Sequence, residues 1–264
     1  MKRVSYNAGI FYPNNIKDLK LSIDRYNTQL EQREDINSIL NIIPKAVISP
    51  QSKYSYCGYN INLAHRVLAN SSVKRVVVIG HNHNVEFSGI SGSFFQKYQT
   101  PIRKIDIDIE YLKIIETKFN LEFIQEAHFL EHSTEVQMPM IAHYQPNVKV
   151  IELIYGENCE QKLSEIITWL LQDSLTSVVI CSDLSYLFTP EQTNYLDTIC
   201  LSAIANADNN IFNKGCESCG LTGLKALNSA IKRLNMKNLI LDYRTSIINE
   251  NPKKVSGYTS VAYW

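Results

Sequence analysis

The sequence contains no apolar run long enough to cross a bilayer. It has no excess of either charge, since 26 Lys and Arg face 26 Asp and Glu. Balanced charge gives no electrostatic reason to bind nucleic acid or an anionic membrane. No Pro-, Gly- or Ser-rich linker, internal repeat or low-complexity stretch divides the 264 residues. That pattern predicts a single domain spanning 1–264, with room for a sizeable core. No apolar segment follows the basic Met1-Lys-Arg start, so no signal peptide is expected and the cytoplasm is the expected location. The sequon Asn70-Ser71-Ser72 is then a chance match. The six cysteines, at 57, 159, 181, 200, 216 and 219, are scattered and form no disulfide framework. Six reduced thiols are the expectation. Histidine is missing altogether after His143.

What is present is a set of polar residues at the ends of short, β-branched apolar runs. Lys45–Ser49 leads into Pro50-Gln51-Ser52-Lys53, Arg75–Ile79 into Gly80-His81-Asn82-His83, and Ser177–Cys181 into Ser182-Asp183. Runs of this kind read as strands buried on both faces. Ligands of open α/β sheets collect at the carboxyl ends of such strands. Strands are expected at 45–49, 75–79, 148–154 and 176–181, with a last one over 256–264. Helices are expected at 16–32, 60–69, 109–118, 134–144, 160–172, 190–206 and 221–234. Alternation of this kind predicts an α/β sandwich, a largely parallel central sheet flanked by helices. Thr134 and Gln137 have the spacing of a capping box, and Pro139 is early enough in its helix to be tolerated.

Each candidate residue has two readings. His83, after the turn at Gly80, can ligate a metal or move a proton, or it can simply hydrogen-bond the loop. His132, in Glu131-His132-Ser133, can line a pocket or belong to a helix start. Asp183 can orient a histidine or cap a helix. Cys216-Glu-Ser-Cys219 lacks the second pair that a structural zinc site needs. Cys219, just before the 221–234 helix, is placed where a helix N-terminus favours the thiolate.

Taken in order, these pieces resemble the Memo family. The segments are Ala8-Gly-Ile-Phe-Tyr-Pro13, Ile48–Tyr54 with Tyr56-Cys-Gly58, Val78–His83, Tyr98-Gln-Thr-Pro101, Glu131–Pro139, Ser182-Asp183, Cys219-Gly220 and Gly257-Tyr258. The resemblance implies a fold like that of extradiol-type, non-haem iron dioxygenases. It also implies a metal site from two histidines and a late cysteine, beside a pocket aspartate and histidine. Here the second ligand histidine is His83, the cysteine Cys219 and the aspartate Asp183, with His132 nearby. The first ligand histidine is replaced by Gln51, and the pocket histidine after the aspartate by Tyr186.

A glutamine amide oxygen is a weaker, harder donor than imidazole for metals that thiolates select. Tyrosines titrate near ~10, which makes them poor general bases at neutral pH. The resemblance therefore implies metal positions at Gln51, His83 and Cys219, with donor atoms roughly 4–5 Å apart. It implies catalytic positions at His132, Asp183 and Tyr186. The expected cofactor is copper, iron or zinc, or none. The expected function is a small-molecule, peptide or metal binding protein with weakened or lost metal redox activity. The alternative is a divergent copper- or iron-dependent oxidoreductase. The expected partner is a small molecule or peptide in the cleft, with neither nucleic acid nor membrane involved.

Overall fold

The computed structural model describes residues 2–246 and 253–264. Among these are ten strands: β1 (Lys2–Arg3), β2 (Ala46–Ser49), β3 (Arg75–His81), β4 (Ile90–Gly92), β5 (Lys97–Gln99), β6 (Lys104–Asp106), β7 (Lys149–Tyr155), β8 (Thr176–Cys181), β9 (Asn238–Thr245) and β10 (Gly257–Tyr263). The helices are α1 (Ile16–Glu31), α2 (Ile36–Leu40), α3 (Tyr54–Leu68), α4 (Ile109–Phe119), α5 (Gln125–His128), α6 (His132–Glu135), α7 (Met138–Tyr144), α8 (Glu160–Gln172), α9 (Pro190–Ala205), α10 (Asn209–Phe212) and α11 (Leu221–Leu234). None is long and apolar enough to cross a membrane.

Seven strands form one sheet in the order β4-β7-β3-β8-β2-β10-β9, and β1, β5 and β6 form a small second sheet. The large sheet is mixed, which corrects the expectation of a largely parallel one. β7, β3, β8 and β2 run parallel, but β4, β10 and β9 are antiparallel to their neighbours. The cause is chain connectivity. Helical crossovers return the central strands in one direction, whereas β9 and β10 pair as antiparallel neighbours at one edge.

The central strands are buried on both faces, as their β-branched composition dictates. Alternate residues point to opposite layers. Ala46, Ile48, Val77 and Ile79 join a core with residues of α8 and α11. Val47, Val76 and Val78 face the other way, toward residues of α3 and α7.

Two expected helices differ. The one expected at 60–69 starts earlier, at Tyr54. Within it, a Cβ at Gly58 would overlap the Tyr26 ring, so glycine is what lets α1 approach α3. The helix expected over 134–144 is two short ones, α6 and α7. Pro139 lies in the first turn of α7, where its missing N–H costs nothing, so it opens a new helix instead of bending an old one. Thr134 caps nothing. The cap of α6 is Glu131, whose side chain accepts from Ser133 N at 2.9 Å.

The cysteines also differ from expectation. Cys200 and Cys216 form a disulfide, with Cα atoms 4.9 Å apart, while Cys57, Cys159, Cys181 and Cys219 are free. The bridge ties α9 to the loop before α11. Sequence spacing could not show it, because the two residues are 16 apart and meet only once α10 has turned the chain back.

Candidate functional site

β2, β8 and β3 are neighbours and parallel, so their carboxyl ends lie on one edge of the sheet. Gln51, Asp183 and His83 follow those ends. Gln137 anchors the first: its amide donates to Pro50 O at 2.7 Å and its oxygen accepts from Ser49 Oγ at 2.7 Å. That oxygen also takes the Nε2–H of buried His65 at 2.8 Å. Asp183 Oδ1 accepts from Gln51 N at 2.8 Å, linking two strand ends and capping no helix. After β3, Asn82 Oδ1 accepts from Asn84 N and Val85 N, a side-chain turn that shapes the loop bearing His83. Gly80 lets α6 press against β3, since a Cβ there would run into Ser133 Oγ and the Thr134 methyl.

Glu131 organises the two histidines. Its carboxylate accepts from His83 N at 2.7 Å and from His83 Nδ1 at 2.9 Å, and lies 3.5 Å from His132 Nδ1. With Nδ1–H donated to Glu131, His83 keeps a lone pair on Nε2. Gln51 Nε2 faces that lone pair at 3.2 Å and donates to Cys219 Sγ at 3.0 Å. The Gln51 oxygen is buried without a hydrogen-bond partner. The His83 and His132 rings are 4.4 Å apart, and Phe11 covers His132 at 4.6 Å.

All six residues singled out in the sequence line one cleft of about 830 Å³: Gln51, His83, His132, Asp183, Tyr186 and Cys219. Tyr186 stands at its mouth, 67% exposed. The walls add Phe11, Tyr56, Leu187 and Tyr258, and exposed Lys53, Lys253 and Lys254 also line the cleft.

Burial sets the ionisation of the floor. It holds His132 neutral down to about 4; Glu131 opposes this and His83 reinforces it. It pushes the Asp183 carboxyl up to about 7, against bonds from the Gln51 and Ser52 backbone and the charge of His83. Cys219 is open to the cleft but has protein on its other sides. That desolvation, with Asp183 beside it, pushes the thiol up to about 12. The backbone N–H groups of Cys219 and Gly220 at the start of α11 act the other way, as expected of a helix end, but less strongly than desolvation and the neighbouring carboxylate.

Sequence reasoning missed three contributors. Glu131 and Glu135 are fully buried, and Glu135 anchors the N-terminal segment by accepting from Asn7 N at 2.7 Å and the Tyr12 hydroxyl at 2.9 Å. The anchored segment holds Phe11, the third, over the site. The signal was present in Glu131-His-Ser-Thr-Glu135, where two acids flank a histidine.

Comparison with known proteins agrees with the motif order. The family model described as Memo-like protein matches residues 3–262. A MEMO1 family protein of Archaeoglobus fulgidus is 23% identical over 97% of both chains. One of Methanobrevibacter smithii is 26% identical over 96% of both. The memo-1 homolog of Caenorhabditis elegans is 27% identical over 69% of this chain and 51% of its own. Among solved structures, the uncharacterized protein JW3007 of Escherichia coli K12 superposes with a TM-score of 0.55. It covers 84% of this chain and all of its own at 10% identity, a likeness of fold alone.

Proposed function

The chain belongs to the Memo family, and from that premise we propose that it is a binding protein whose cleft takes a small molecule or peptide, with the family's metal chemistry weakened or lost. The observation that carries this reading is the Gln51 amide. Its nitrogen, not its oxygen, faces both His83 Nε2 and Cys219 Sγ. An N–H donor cannot ligate a cation, and it engages the lone pairs that would. The three inherited positions thus converge in space but do not fit a metal in this arrangement. The cleft volume lies in the range typical of small-molecule sites. Aromatic walls suit an apolar body, and the three lysines favour a ligand carrying negative charge. The likeness of the fold to extradiol-type dioxygenases is part of this reading, as the origin of the pocket and not as an activity.

One observation favours a second reading, a divergent copper- or iron-dependent oxidoreductase. Donor atoms of His83, Glu131 and His132 lie within 4.8 Å of one another. Two imidazoles and a carboxylate are a donor set that redox metals accept.

Metal titration against a chromophoric chelator separates the two. On the first reading the wild-type protein binds copper or zinc weakly. Gln51→His then tightens binding at least ~10-fold, about 1.4 kcal/mol, and the gain disappears when Cys219→Ala is added. Tight wild-type binding that Gln51→His leaves unchanged would favour the second reading.

A further inference from the structure

The cleft sorts its groups by depth. Gln51, Asp183 and Tyr258 are buried at its floor, while Lys53, Lys253 and Lys254 are exposed at its rim. Histidines aside, the ionisable groups with opposite charge signs among the described lining residues are these three lysines and one acid, Asp183. The acid is at the floor, so none of the lining acids stands among the lysines.

The floor's polar groups are turned to one another. The Gln51 amide nitrogen faces His83 Nε2 at 3.2 Å and Cys219 Sγ at 3.0 Å. His83 Nδ1 meets Glu131 at 2.9 Å, and Asp183 Oδ1 accepts from Gln51 N at 2.8 Å. That last bond lies just ahead of α3, where a helix start would otherwise favour an added anion. A protein carboxylate already occupies the place. A ligand with a charged group at the floor would have to break these pairs, and a buried group left unpaired is costly. An apolar body breaks none of them. The rim is the reverse. Lys53 Nζ lies 5.9 Å from the centroid of the Phe11 ring, so a cation stands beside the aromatic wall. Exposed ammonium groups keep their hydration and still attract an anion within a Debye length, about 10 Å at 0.1 M salt.

We propose that the cleft binds a small organic acid, apolar end first. The body packs against Phe11, Leu187 and Tyr258, and a single carboxylate stays at the rim among Lys53, Lys253 and Lys254. This rests on the reading of the cleft as a binding site, and adds the ligand's class and its direction of entry. An acid with a second charge at its far end would bury that charge against the floor and is disfavoured. An amine is disfavoured too, because the lysines repel it. The cleft volume of about 830 Å³ is that of a small-molecule site.

The test uses the intact chain and two fluorescent probes that share one ring system, 8-anilinonaphthalene-1-sulfonate and the neutral N-phenyl-1-naphthylamine. Both should bind, and each should displace the other. Replacing the lysines together, by Lys53→Gln, Lys253→Gln and Lys254→Gln, should weaken the sulfonate probe at least ~10-fold at low salt and leave the neutral probe unchanged. The three side chains are exposed, so their loss removes no core contact. Octanoate should displace the neutral probe from the wild-type protein at least ~10-fold more readily than octylamine. If the lysine variant changes both probes alike, or neither, the inference is overturned while the cleft reading stands. Displacement by octylamine as readily as by octanoate overturns it in the same way. Failure of both probes to bind overturns the inference and counts against the cleft reading as well.

Discussion

Glu131 grips His83 at two points, its backbone N–H at 2.7 Å and its Nδ1 at 2.9 Å, from a position with no solvent exposure. This double contact fixes both the place and the tautomer of the ring, and leaves Nε2 as the nitrogen that faces Gln51. An outer carboxylate of this kind is also what orients metal-binding histidines; here the ring nitrogen it leaves free meets the Gln51 amide.

Burial pushes the Glu131 carboxyl up, but the His83 hydrogen bond and the charges of His83 and His132 outweigh it and hold the group below its ordinary value. Its folded pKa is depressed, so the stability it adds is present above ~4.3 and is lost as pH falls through the folded value. Glu131→Gln turns one acceptor oxygen into an NH2 that opposes an N–H. We expect a loss of about 1–3 kcal/mol in urea unfolding near neutral pH, shrinking toward acid pH. The nitrogen-15 shifts of His83 should move away from the Nδ1–H tautomer. An unchanged tautomer would remove Glu131 as the orienting group.

Asp183 carries the opposite sign. Its folded pKa is raised to about 7 from 3.8, so between those values the folded protein binds more protons than the unfolded chain. Stability attributable to this group is greatest below 3.8, declines as pH rises through the window, and is flat above 7. Asp183→Asn removes the buried charge and keeps an oxygen for Gln51 N. The variant should melt about 2–4 °C higher than wild type at pH above 7, equivalent to ~1 kcal/mol, with the gain disappearing in acid. Equal melting shifts across the whole range would mean that the carboxylate is not desolvated.

Gln137 is the third test, because it joins Ser49, His65 and Pro50 while touching no part of the cleft itself. Burial holds His65 neutral down to about 4, with the Gln137 bond opposing the shift. Gln137→Met leaves these partners buried and unpaired. The cost should be about 2–4 kcal/mol by chemical denaturation, accompanied by faster exchange of the Gln51 amide proton. A loss of stability with Gln51 exchange unaltered would show that the strand end is held by something else.

The central strands were legible because the runs at 45–49, 75–79 and 176–181 are β-branched and end in turn-forming polar residues. Glu131-His-Ser-x-Glu, taken with the other ordered segments, was enough to place the chain in its family. The antiparallel edge was not legible, since strand composition says nothing about direction. The split between α6 and α7 was missed because Thr134 and Gln137 imitate a cap, while the working cap is Glu131, three residues earlier.

By itself the sequence determined which residues could reach one edge of the sheet, since a parallel βαβ arrangement brings successive strand ends together whatever fills the loops between them. Gln51, His83 and Asp183 follow from that rule, and Cys219 from the motif order. Only the tertiary structure decided their states. The direction of the Gln51 amide depends on His83 and Cys219, which are 32 and 168 residues away. The proton on Cys219 depends on burial by distant segments and on Asp183. The Cys200–Cys216 bridge depends on α10 turning the chain back on α9. Hydrogen-bond direction, desolvation and sulfur pairing are set by distances between atoms far apart in the chain, and a linear pattern carries no distances.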